Sequence, residues 1–104
     1  MYRKKILNQE RVRKVPLSFS WIDHRLITHG LIAELYPLEI LLYVFLVMVG
    51  DRYGLSYYGD EKICQLLRID QPSLYTLRKN LILKSFIEYA DGIYQVLALP
   101  IEGD

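Results

Sequence analysis

The sequence predicts a single α+β domain, mainly α, behind a loose basic arm. Three observations carry that expectation. The run at residues 38–50 is apolar on nearly all sides, as a core helix is, and apolar residues recur at helical spacing through residues 71–84. The pair Asp91-Gly92 separates two apolar β-type runs near the C-terminus, a strong short-range hairpin signal. The chain of 104 residues, 52% apolar with nine tyrosines, has the size and makeup of one domain with its own core.

The elements follow in order. Met1 to about Lys14 lacks clean periodicity and reads as a loose arm, so the division is 1–15 for the arm and 16–104 for the domain. Pro16 sets an extended approach, because the residue before proline avoids helical angles. Ser20 and Asp23 resemble a capping box, which predicts a short helix from Trp21 to His29 with Trp21 as a core anchor. Gly30 stands where a left-handed residue ends a helix. Pro37 opens the next helix, at a position that tolerates its missing N–H, and that helix runs to about Met48. "YGLSYYG" (Tyr53 to Gly59) is aromatic and bounded by glycines, so it reads as a short strand. Gly59 or Asp60 caps a helix through Leu67 whose apolar stripe is Ile63, Leu66 and Leu67. Arg68, Ile69 and Asp70 form a turn, and Asp70 suits an N-cap. The helix from Gln71 to Lys84 then buries Leu74, Leu77 and Leu81. Phe86 to Tyr89 and Ile93 to Leu99 make the hairpin, ended by Pro100, and the earlier strand can join it as a third.

At "EKICQLLRIDQPSLYTLRKNLILKSFI" (Glu61 to Ile87) the chain resembles the reading core of bacterial winged helix-turn-helix regulators, MarR-like proteins among them. The residues that carry the likeness are Leu66 and Leu67, then Ile69, Asp70, Leu74 and Leu81, and the exit Ser85, Phe86 and Ile87. Arg68 and Ser85 stand where that pattern usually has glycine. The resemblance covers roughly Tyr36 to Leu99. It implies a winged helix-turn-helix with a short two- to three-stranded antiparallel wing and an extra N-terminal helix. The same domain also serves in replication initiators, in proteins of mobile elements and as a protein-docking module.

Opposite its leucines, the helix 71–84 shows Gln71, Ser73, Tyr75, Thr76, Lys79 and Asn80. Such side chains hydrogen-bond base edges or phosphates. Any exposed helix face is polar, but from Gln71 to Ser85 this one has no acidic residue, where a merely solvated face mixes signs. The wing tip, Ala90-Asp91-Gly92 beside Glu88, is anionic and would be repelled by phosphate, so its expected role is structural. Net charge is +1 but unevenly spread. Arg3, Lys4, Lys5, Arg11, Arg13 and Lys14 against Glu10 make the arm +5, and the rest of the chain is −4. Such an arm either solvates the protein or adds phosphate affinity in a groove.

Other classes have weaker support. His24 and His29 lie five apart and share no helical face, so they make a poor metal pair. There is no glycine-rich phosphate loop, no GxSxG and no CxxC, and the lone Cys64 reads as a small apolar residue. Neither an enzyme, a cofactor nor a metal is expected. "LEILLYVFLVMVG" is too short to span a membrane, and no secretory signal is visible, which suggests the cytoplasm. The tyrosines Tyr53, Tyr57 and Tyr58 read as sheet-edge residues. Apolar surface from Leu26 to Phe45, and on both faces of Ile93 to Leu99 apart from Gln95, is to be covered either by the N-terminal helix or by a second subunit, and a homodimer is expected. The expected function is transcriptional regulation through double-stranded DNA, with no small-molecule ligand evident. The rival is a winged-helix protein-interaction module, or an accessory protein of replication or transposition.

Overall fold

A computed structural model describes residues 5–101. Its helices are α1 (Arg25–Thr28), α2 (Pro37–Val49), α3 (Asp60–Leu67) and α4 (Gln71–Leu83), and its strands are β1 (Leu55–Ser56), β2 (Ile87–Ala90) and β3 (Ile93–Val96). The domain is mainly helical. The strands form one antiparallel sheet in the order β1-β3-β2, so the early strand does join the hairpin. β2 and β3 pair from Ile87 opposite Val96 to Ala90 opposite Ile93. Asp91 and Gly92 both take positive φ (52° and 79°), as a two-residue turn matched to strand twist requires.

α2 forms the floor of the core. Leu42, Tyr43, Phe45 and Leu46 are buried against α4 and β3. Leu74 and Leu81 of α4, Ile63 of α3, and Phe86, Ile87 and Tyr94 of the hairpin close over them, all fully buried. Tyr43 meets Phe86 edge to face, with ring centres 5.6 Å apart. Leu26, Leu31 and Leu35 from α1 and the following 3-10 turn join the same core, so much of the apolar surface between Leu26 and Phe45 is covered within the chain.

Several expectations change. The helix expected from Trp21 to His29 shrinks to α1. The Asp23 carboxylate accepts the Arg25 N–H at 2.9 Å and pairs with the Arg25 guanidinium, while the Ser20 hydroxyl donates to the carbonyl of Met48. No capping box forms, and the chain from Val12 to Ile22 stays irregular. Trp21 is therefore no core anchor but 73% exposed. Gly30 ends α1 as expected, at φ 70°. The strand expected over Tyr53 to Gly59 is reduced to Leu55 and Ser56, because Asp51 folds the preceding chain into a turn. Its carboxylate accepts the N–H groups of Tyr53 and Leu55. In α3, Ile63 is buried and Leu67 half-buried, but Leu66 faces out.

The arm makes one 3-10 turn, Gln9–Arg11, capped by Asn8. Every residue from Lys5 to Ile22 is exposed. Among the described residues, no helix is long and apolar enough to cross a membrane.

Candidate nucleic-acid interface

The α3–α4 pair is fastened at each end by backbone geometry. Arg68 takes the left-handed conformation (φ 61°), and the N–H groups of Arg68 and Ile69 both donate to the Cys64 carbonyl. That closes α3 with two bonds. Asp70 Oδ1 accepts the Ser73 N–H at 2.8 Å, which caps α4, and Pro72 lies in a turn where its missing N–H has no helical partner. The contact with Ser73 holds the Asp70 carboxyl below its ordinary value. At the far end Ser85, also left-handed (φ 67°), turns the chain, and the Phe86 N–H donates to the Leu81 carbonyl. At both positions where glycine is usual, this chain thus holds an L-residue in a glycine-like conformation, as it also does at Asp91 in the hairpin turn.

Two lateral networks set the roll of α4. On one side Glu39 of α2, 1% exposed, accepts from Lys84 Nζ at 2.7 Å, Asn80 Nδ2 at 2.9 Å and the Tyr36 N–H at 3.1 Å. Burial pushes this carboxyl up, but the three hydrogen bonds outweigh it and hold it below the usual glutamate range. Lys84 Nζ also donates to the Glu34 carbonyl. On the other side Arg78 donates to Asp60 Oδ1 at 2.9 Å and to the Tyr94 hydroxyl at 2.8 Å. Its guanidinium lies 4.2 Å from the centre of the Tyr89 ring, which ties α4 to both hairpin strands.

These networks divide the six side chains expected on the outer face. Gln71, Tyr75 and Lys79 stand four apart along an open ridge with Thr76 beside them, all exposed. The Tyr75 hydroxyl donates to Gln71 Oε1, and Thr76 Oγ1 donates back to the Pro72 carbonyl. Ser73 and Asn80 sit elsewhere. Both are half-buried on the flank that faces α2, Asn80 committed to Glu39 and Ser73 lining a groove of about 300 Å³ beside Leu38. Of the two cations within α4, Arg78 is turned inward and Lys79 stays in water.

Two cations outside the sequence-based expectation also stand open, Arg68 in the turn and Lys62 on α3. Proximity in sequence to Asp70 and Gln71 was the available signal for Arg68. Glu88 and Asp91 are exposed at the hairpin tip, so nothing there offsets phosphate charge. Lys5, Arg11, Arg13 and Lys14 are exposed, and among the described residues no ion pair joins them to α4. Arg3 and Lys4 lie outside the described residues. Cys64 is half-buried, and burial pushes its thiol up, away from nucleophilic chemistry. His24 and His29 flank α1 on the surface. No family model, curated protein or solved structure matches the chain.

Proposed function

We propose that this chain is a small winged helix-turn-helix protein that binds double-stranded DNA and regulates transcription, with α4 as its reading helix. The supporting observation is the open ridge of Gln71, Tyr75, Thr76 and Lys79, free of acidic residues and held in a fixed roll by Glu39 and Arg78. The ridge supplies amide, hydroxyl and ammonium groups at helical spacing, the chemistry that base edges and phosphates accept. Lys79, exposed at the C-terminal end of the ridge, takes a phosphate or a guanine. The arm's cations add sequence-independent affinity. The anionic hairpin acts as a brace behind α4 rather than as a contact.

A fluorescent duplex titrated at several salt concentrations tests the reading. Binding should weaken steeply with salt. Lys79→Ala should weaken it further and lower the log–log slope by about 1, while deletion of residues 1–14 should mainly flatten the slope. No binding at low salt with the arm intact would sink the proposal. The rival reading, a protein-docking module, is favoured by the exposed Glu88 and Asp91. It would be supported if the duplex fails to bind while the fold is intact.

A further inference from the structure

The stretch Val15-Pro-Leu-Ser-Phe-Ser-Trp21 places an apolar residue at every second position, the pattern of a strand with one face to bury. In the single chain nothing buries it. Val15 is 79% exposed, Leu17 fully exposed, Phe19 65% and Trp21 73%. A chain seldom presents four large apolar side chains to water in succession without a partner for them. Beside this stretch lies a cleft of about 550 Å³, whose apolar lining includes Tyr43, Val47, Tyr53, Val96 and Leu99. Phe19 and Trp21 form one wall of that cleft and do not fill it. The segment is fastened to the body at Ser20, whose hydroxyl donates to the Met48 carbonyl, and every described residue before it is exposed.

We infer that residues Val15–Trp21 and the adjoining cleft form a homodimer interface, each copy's apolar segment covering the segment and cleft of the other. One chain carries both the protruding apolar edge and an open cleft whose lining is apolar in part, with Asp23, Arg25, Asp51 and Arg52 also lining it, and a two-fold contact can pair the one with the other. Size is adequate. At roughly 150–250 Å² for an aromatic side chain, Phe19 and Trp21 expose on the order of 250 Å², and the four residues roughly 500 Å². Two such segments, together with the two clefts that they enter, bury about 1,400 Å², within the range of a standard stable interface. Charge agrees as well. The arm just before the segment is +5 and the remainder of the chain −4, so an arm that crosses onto a second copy meets opposite charge. The inference is independent of DNA binding and is tested without DNA.

Trp21 is the single tryptophan, so fluorescence excited at the red edge of tryptophan absorption, where the nine tyrosines do not absorb, reports on this segment alone. The full chain should dimerise in sedimentation equilibrium, and over the same concentration range Trp21 emission should shift to the blue and resist acrylamide quenching. Phe19→Asp should weaken dimerisation on the order of a hundredfold, since symmetry puts the change on both sides. The melting temperature of the dilute monomer should not move, because Phe19 belongs to no buried cluster. A chain monomeric at all concentrations would overturn the inference, even one whose Trp21 is protected, which would mean that the segment closes on its own cleft. A dimer whose Trp21 stays exposed would overturn it too, by placing the interface elsewhere.

Discussion

Replacing Glu39 with alanine tests how the roll of α4 is held. The carboxylate is 1% exposed and accepts three hydrogen bonds, one from an ammonium group. A hydrogen bond to a charged group contributes about 1.5–3 kcal/mol net and a neutral one about 1. Removing one partner of a fully buried ion pair costs about 3–5 kcal/mol. Here the loss is smaller. Lys84 is 28% exposed and keeps its bond to Glu34, so it can recover water, and the Tyr36 N–H lies at an exposed helix start. The half-buried Asn80 amide has no such recourse. Glu39→Ala should therefore cost about 2–3 kcal/mol, a drop of about 10–20 °C in Tm for a domain of this size. Circular dichroism melts give the value directly. Acid adds a second readout. The folded carboxyl titrates below the unfolded one, so its ionisation stabilises the fold above about pH 4.3, the unfolded value, and the contribution disappears as pH falls through the folded value. The variant should lose that part of the acid dependence. A variant within 0.5 kcal/mol of the parent, with an unchanged pH profile, would refute the reasoning.

Three further substitutions probe the frame around the ridge. In Gly54→Ala the new Cβ would stand 2.5 Å from the Val96 carbonyl oxygen at φ +81°, so β1 should detach at a cost of about 2–4 kcal/mol, seen as faster hydrogen exchange at the Val96 N–H that now donates to Gly54. Ser85→Gly should stabilise by about 0.5–1 kcal/mol, since glycine accepts φ 67° without the side-chain penalty but loses more entropy on folding; a lower urea midpoint would contradict this. Asp70→Ala removes the cap on Ser73 and should cost about 1 kcal/mol in the same assay, with no loss expected if the cap carries nothing.

Features decided within a few residues were legible in the sequence. Pro37 opens a helix, Gly30 ends one, Asp70 caps one and Asp91-Gly92 turns a hairpin, because each acts through its own backbone angles or the nearest N–H groups. The spacing of Leu74, Leu77 and Leu81 likewise determined which side of α4 is buried. Composition could not show which polar residues around that buried side remain open. Asn80 and Lys79 are neighbours of similar polarity, yet Asn80 answers a carboxylate 41 residues away while Lys79 stays in water. Arg78 and Lys79 carry the same charge, but Asp60 and Tyr94 claim only the first. Trp21 failed in the same way. Its local pattern suggested a capped helix, and the contacts of Asp23 with Arg25 and of Ser20 with the end of α2 drew the chain away. The sequence by itself determined where elements start, stop and hide their leucines, because those are short-range steric and solvation choices. The tertiary structure alone decided which polar groups face water, because a buried carboxylate or guanidinium takes whatever donors or acceptors the packing brings to it.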